Sequence, residues 1–469
     1  VKIPILSGIF SDGNSDYRTS YPINLVPVTK DTGVNDSYLR PAEGIELFAS
    51  TNGIDRGAIV VRGVCYRVIG TKFCRVDRIG VITELGDVGG AGLVSLCQSF
   101  DNIGIASNGN LFLWNLHTLF LQQVTDVDLG VVITVNWLDG YFVTTDGEFI
   151  VVTDINDPLS VNPLKYGSSE VSPDPIIALP VLRNTLYAIN RYSIEGFQNI
   201  GGQFFPFQRI DGAYIQRGCV GTLANCIYDE QIAFLGGGQN EPCAVWLGLN
   251  GSTTKISTHE IDLRIQKYPE IILSQVLVET RLERSHHWLY IHLPDETLVY
   301  DSQASQVMGA PVWFSLSSSI TGVGVYNARN FIFAYDKWIC GDPSTNRLGI
   351  LSLETGGHWG EPVGWEVQTK IIYGDTNGAV FWELELMCLT GNVSPGSNPV
   401  VSTQYSNDQG VTWSVPRARI AGRNGVRERR INWLSNGSMN ERRIERFTGN
   451  SDSHITINAL EARIEVLYN

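Results

Sequence analysis

The stretch Trp288-Leu-Tyr-Ile-His-Leu-Pro-Asp-Glu-Thr-Leu-Val-Tyr-Asp301 decides the fold. Trp288, Tyr290 and His292 alternate with Leu289, Ile291 and Leu293, the period of two expected of a strand with two different faces. Pro294 presets φ for a corner that Asp295 and Glu296 keep wet, and Thr297 to Tyr300 runs back as a second strand. Outward from this pair, similar strand–turn–strand units fill residues 56–88, 93–124, 131–164, 176–210, 219–256, 286–316 and 320–353. Asn108-Gly109, Asp139-Gly140 and Asp146-Gly147 supply tight turns within them. A repeat of roughly 30 to 45 residues is that of four-stranded propeller blades, which bury their faces only by stacking on neighbours. The expected fold is all-β: a propeller-like array of about seven blades, with six or eight left open because residues 1–55 are free to donate a closing strand.

The expected domains are an extended lead-in at 1–55, a propeller at 56–355 and a β-sandwich at 361–469. Tyr21-Pro-Ile-Asn-Leu-Val-Pro27 resists helix because of its two prolines. Residues 257–283 interleave Glu260, Asp262, Arg264, Lys267 and Glu270 with isoleucines, and are expected to hold one or two short helices inserted between blades. Gly356-Gly357 to Pro362 marks the boundary with the sandwich, whose strands are expected at 363–373, 379–389, 400–405, 431–434 and 455–467.

Composition narrows the function. The 469 residues are 43% hydrophobic and only 17% charged, enough for a large core, and the net charge of −14 excludes a general nucleic-acid binder. Eight cysteines without a C-x-x-C pair are expected to be buried, reduced hydrophobes in a soluble cytosolic product. Val1 to Phe10 is too short an apolar run for a signal peptide, and no segment is long enough for a membrane anchor. Zinc-protease, P-loop, dinucleotide and nucleophile-elbow motifs are absent. His286, His287 and His292 are read as structural, because neighbours on a strand face opposite ways and chelate poorly. No catalytic, cofactor-binding or metal residue is expected. Ser406-x-Asp408-x-Gly410-x-x-Trp413 matches the Asp-box of sialidase-type propellers, a device that ties down a hairpin turn. Residues 417–446 hold nine arginines against Glu428, Glu441 and Glu445. Arg427, Arg429, Arg430, Arg442, Arg443 and Arg446 are candidate contacts for an acidic partner or phosphate, against the alternative of solvated Arg–Glu pairs on strand faces.

Taken in order, several stretches resemble the tail-hub proteins of short-tailed bacteriophages, also called tail nozzles or packaged DNA stabilization proteins. They are Tyr21-Pro-Ile-Asn-Leu-Val-Pro27, Ser37-Tyr-Leu-Arg-Pro-Ala-Glu-Gly-Ile45, Val64-Cys-Tyr-Arg-Val-Ile-Gly70, Gly86-Asp-Val-Gly-Gly-Ala-Gly92, Ile291-His-Leu-Pro294 with Leu298-Val-Tyr-Asp301, and Cys340-Gly-Asp342. One departure is Glu43-Gly44, where the family more often has Pro-Gly. The resemblance implies a virion structural protein of the tail, assembled in the host cytoplasm and not an enzyme. It implies a homohexamer that closes the channel below the portal and its adaptor ring, retains packaged DNA, and serves as its conduit without reading sequence. It further implies contact with a tail needle or plug and with spikes or fibres. The competing readings are a propeller glycoside hydrolase, hinted at only by the Asp-box, and a receptor-binding adhesin.

Overall fold

The computed structural model describes residues 2–3, 21–29, 37–155, 157–284, 286–374, 377–393, 398–451 and 455–467. The start of the lead-in at 4–20 and part of the loop at 391–399 lie outside them.

Seven antiparallel sheets follow one another along the chain. The first runs through Asp55–Val61, Val64–Ile69, Lys72–Val76 and Ile82–Asp87, and the next five repeat that order from 95 to 316. The seventh has only three strands of its own, Arg329–Ala334, Lys337–Gly341 and Arg347–Ser352. Its fourth is Gly44–Ser50, pairing Arg347 with Ser50 and Ser352 with Gly44. The lead-in therefore completes the last sheet rather than adding an eighth. Packing closes the ring as well: Cys65, Ile69, Cys74 and Val76 of the first sheet share a core with Ile332, Ala334, Ile339 and Leu348 of the seventh. Comparable cores join the first sheet to the second and the second to the third.

Turn chemistry explains the strand ends. Asn108 and Gly109 have φ of 51° and 77°, and Asp139 and Gly140 have 50° and 95°, both residues of each turn being left-handed as the right-handed twist of a two-residue hairpin requires. The Asp146-Gly147 turn works differently: Asp146 Oδ1 accepts from the backbone N–H of Glu148 (2.9 Å) and Phe149 (2.7 Å). Gly44 is fixed by crowding, since a Cβ there would lie 2.4 Å from the Thr355 carbonyl oxygen.

The opening stretch forms His286–His292 and Thr297–Asp301, with Trp288 opposite Asp301 and His292 opposite Thr297. Its sheet begins earlier than expected. The helices His259–Ile265 and Glu270–Leu273 are present, but Leu277–Glu283, read as part of the insertion, is the first strand of this sixth sheet. Glu279, Arg281 and Glu283 obscured the alternation, because they look like solvated charges and are instead paired inside the ring. A further helix, Ser302–Met308, interrupts the sheet, capped by Asp301 and stopped at Gly309 (φ 65°).

The sandwich has two sheets. One pairs Val363–Gln368, Arg442–Ser451, Val400–Ser406 and Arg417–Ile420 in that order; the other has Gly378–Leu389 at its centre between Thr456–Leu467 and Ile431–Leu434. Leu25–Thr29 and Ser37–Pro41 of the lead-in extend the second sheet through Thr456–Leu467. The described residues of the lead-in are thus shared between the two units instead of preceding both. Arg442–Ser451 was not anticipated as a strand, because arginines occupy positions that apolar residues normally mark.

Among the described residues, several contacts join the units: Gly364 N–H donates to the Ser319 carbonyl (2.9 Å), Arg40 pairs with Glu283 (2.9 Å), and Ile23 and Asn24 lie between. Ile23 bridges Ser315 of the sixth sheet and Glu366 of the sandwich. Asn24, buried with φ 55°, donates from Nδ2 to the carbonyls of Ser317 (2.8 Å) and Gly364 (2.7 Å), and its Oδ1 accepts from Ser317 N–H (2.9 Å).

Candidate contact surface and buried charges

Two short edge strands, one from each sandwich sheet, carry the arginine-rich segment. Edge strands leave carbonyls without partners, and here guanidinium groups cover them. Arg417 donates to the carbonyls of Ser435 (3.1 Å) and Leu434 (2.6 Å), and Arg419 to that of Asn432 (3.0 Å). Of the six arginines singled out above, Arg427 and Arg429 are exposed on the loop joining these strands. Arg430 is exposed beside them and paired with Glu385 (2.7 Å) and Glu383 (3.5 Å); this partner holds the Glu385 carboxyl below its ordinary range. Arg442 is half-buried and pairs with Glu441 (3.1 Å). Arg446 lies with its guanidinium 4.0 Å from the Trp413 ring centroid and donates to Gln404 (2.6 Å).

Arg443 departs from expectation. Its side chain is wholly buried, 2.6 Å from the equally buried Glu445, with the guanidinium 3.7 Å from the Tyr405 ring and 4.3 Å from that of Phe381. It is part of the sandwich core and not of a contact surface. Alternation along its strand aims Arg443 and Glu445 inward, so the nine arginines do not form one patch.

The Asp-box behaves as a turn. Thr412 Oγ1 donates to Asp408 Oδ2 (2.5 Å), Thr412 N–H to Oδ1 and Oδ2 at 2.8 and 3.0 Å, and Ser406 Oγ to Oδ1 (2.7 Å), holding the Asp408 carboxyl down at about 2. Every hydrogen bond it makes is internal to the hairpin. Asp408→Ala is expected to increase proteolytic cleavage within 407–412 while leaving the main melting transition in place; an unchanged cleavage rate would contradict the turn role.

The histidines are absorbed into the sixth sheet. His286 Nδ1 lies 2.6 Å from Asp301, and His292 Nε2 lies 2.7 Å from Glu279. Glu279 in turn accepts from the backbone N–H of Asn330 (3.0 Å) and Phe331 (2.8 Å), linking the sixth sheet to the seventh. Among the described residues, no group of three or more His, Cys, Asp or Glu side chains is placed to hold a metal ion.

Charges that sequence reading passed over sit at the ring's closing seam. Arg67 of the first sheet lies 2.9 Å from Asp55, both fully buried, and donates to the carbonyls of Asn330 (3.0 Å) and Ile339 (2.9 Å) in the seventh. Burial raises the pKa of Asp55 and, alone, would lower that of Arg67; the attraction of Asp55 reverses the direction for Arg67. Removing either partner would leave the other without its counter-charge in the core. Arg281 of the sixth sheet pairs with Glu43, its guanidinium 4.7 Å from the Trp288 ring and 5.5 Å from that of Trp338. The family-atypical Glu43 thus has a specific partner. The sequence carried no clear signal for this pair, since Arg281 stands among Glu279, Glu283 and Arg284, and Glu43 between Arg40 and Glu46.

Two buried groups give the units opposite pH responses. Burial pushes His358 down to about 4, beside Ser318 (2.8 Å) and the Tyr326 ring. The unfolded chain takes up a proton near pH 6.5 that this site refuses, so its contribution is complete above 6.5 and lost as pH falls toward 4. Burial pushes Glu445 up to about 7, against the pull of Arg443. Its contribution is complete below about 4.5 and lost as pH rises through 7. Hydrogen exchange at pH 7.5 and 5 is expected to show amides around 358 exchanging relatively faster in acid and those around 445 slower, after correction for intrinsic rates. Parallel changes in both would contradict these assignments.

Fold and surface together define a large all-β structural module, a closed ring of sheets tied to a sandwich through the chain's own N-terminal segment. Residues 1–356 match the family model described as bacteriophage P22 Gp10, beta-propeller, and residues 364–465 match that described as bacteriophage P22 Gp10, beta-sandwich. The chain belongs to the phage P22 Gp10 family. It is 25% identical over 497 residues to the tail hub protein gp10 of Salmonella phage P22, covering 99% of each chain. It is therefore a structural component of the virion tail, a tail-hub protein. Among solved structures, the N-terminal domain of Nup159 overlaps with a TM-score of 0.43 at 11% identity, covering 70% of this chain and 97% of that one. The computationally designed Ika8 protein overlaps with a TM-score of 0.39 at 14% identity, covering 75% and 99%.

Proposed function

We propose that the chain assembles as a homohexameric ring beneath the portal adaptor ring, closes the channel to retain packaged DNA, and becomes its conduit during ejection. The observation that carries this reading is the end-to-end match to a tail hub, through both units and in the same order. The closed ring of sheets suits a wall under internal pressure, because every sheet is packed on two neighbours and the last is locked by a strand from the N-terminal segment. A net charge of −14 suits a surface that DNA must pass without sticking. A needle or plug and spikes or fibres are the further partners of this reading. The role is architectural and not enzymatic: the only hint of a glycosidase, Asp408, is used up in a turn. Phage particles made without this protein are expected to package DNA and then lose it, measured as nuclease-sensitive genome after purification. Full DNA retention in such particles would refute the proposal.

A further inference from the structure

The chain carries two oppositely charged segments far apart in sequence. Residues 126–174 contain nine acidic residues against Lys165 alone, whereas 417–430 contain six arginines against Glu428. Arg417 and Arg419 are committed to carbonyls and Arg430 to Glu385, and Arg429 makes a long bond to the Ile420 carbonyl (3.4 Å); Arg423, Arg427 and Arg429 are exposed, with no acidic partner among the described residues. The loop is built to present them. Gly425 N–H donates to the Gly391 carbonyl (3.0 Å), Thr390 Oγ1 donates to that of Val426 (3.1 Å), and Val426 N–H donates to that of Arg423 (3.0 Å). Gly391, with φ 82°, permits the close approach; a Cβ there would meet the Val426 carbonyl at 2.9 Å.

The acidic segment also has a shape. A cavity of about 440 Å³ opens between the third and fourth sheets, lined by Glu148, Glu170 and Asp174 and by no Lys or Arg. Ser169 of its wall donates to Glu195 (2.8 Å), which is almost completely buried. Val171 N–H also donates to Glu195 (2.9 Å) and Arg209 is ion-paired with it at 3.9 Å, while Glu195 Oε2 and the neighbouring Asn190 Oδ1 have no hydrogen-bond donor.

Topology separates the two features. The sandwich is tied to the ring at the sixth sheet, through Ser315 and Ser317, on the end where strands of that sheet finish and the loop to the seventh begins. Strand direction places the 146–148 and 162–175 loops on the same end, but at the third and fourth sheets, across the seven-membered ring. Two different patches of opposite charge on one chain are what a head-to-tail contact needs to close a ring, and their charge complementarity fixes its direction. Duplex DNA is the weaker fit to the loop, since three guanidinium groups in an acidic chain are few and a matching acidic face exists on every copy.

We infer that the 421–430 loop of one copy docks on the acidic face formed by Glu148, Glu170 and their neighbours on the next copy. This inference rests on the ring assembly proposed above, and its test separates the two. In purified virions carrying the Arg427→Cys and Glu170→Cys substitutions in one chain, a bismaleimide is expected to produce a ladder of covalent multimers, absent from either single variant. Intact tails without a ladder would overturn the docking while leaving the ring reading in place. In the full chain, Arg423→Glu with Arg427→Glu and Arg429→Glu is expected to weaken assembly at least tenfold by native mass, with the melting curve retained. Glu148→Lys with Glu170→Lys is expected to do the same, and the five changes combined to restore assembly. Wild-type assembly by the arginine variant, failure of the combined variant, or selective loss of DNA binding instead would each overturn it. A wild-type tail shown to hold a single copy would remove the ring reading itself.

Discussion

Replacing Arg67 with Met is expected to destabilise the propeller by about 3–5 kcal/mol, the usual effect of removing one member of a buried ion pair. Arg67 and Asp55 are both fully buried. The guanidinium also satisfies the carbonyls of Asn330 and Ile339, so its loss leaves two acceptors bare and the Asp55 carboxylate without its counter-charge, held by the Asn330 amide (2.7 Å), at the seam where the seventh sheet meets the first. Those neighbours are far apart in sequence, and the ring has no other place to close. The loss should therefore appear as early exchange of amides in both Asp55–Ile69 and Arg329–Gly341, not in the third or fourth sheet. A double replacement, Arg67→Met with Asp55→Leu, is expected to recover much of the stability, since it removes the unpaired charge. A melting temperature unchanged by Arg67→Met would show that water reaches the seam.

Asn24→Leu is expected to cost several kcal/mol, about 3–5 from one donor and two acceptors left buried without partners, and to uncouple the two units. Asn suits the site twice over. It tolerates the left-handed φ of 55°, and its amide offers a donor pair and an acceptor within one short side chain. Both carbonyls it holds belong to different units, Ser317 to the loop leaving the sixth sheet and Gly364 to the first sandwich strand. Calorimetry should resolve the single transition of the wild type into two, with faster cleavage near 356–362. Asn24→Asp, which keeps the shape but replaces the donor with charge, should be no better. One cooperative transition in Asn24→Leu would mean that packing around Ile23, not the amide, joins the units.

Much of the ring was legible from residue pattern because each sheet is built from local hairpins. Alternation at Trp288–Asp301 and left-handed Asn-Gly and Asp-Gly turns depend on neighbours a few positions away, and those interactions survive in the sequence as a period. The contact surface was only half legible. Composition located the arginines, but whether a guanidinium lies in a core, along an edge or in solvent is set by which face of which strand it occupies. Arg443 and Arg427 look alike as letters; one stacks on Tyr405 under the sandwich and the other stands exposed on a loop.

By itself, then, the sequence determined an all-β chain of repeated hairpins, its two-part order and its charge. The tertiary structure decided the rest: which strand closes the seventh sheet, that 277–283 belongs to the sixth, and that Glu43 meets Arg281 while Asn24 joins the units. The physical reason is separation. Apart from the local pairing of 277–283, hidden by its charges, these contacts span about 240 to 340 residues, and an alternating pattern says that a face is buried without saying against what.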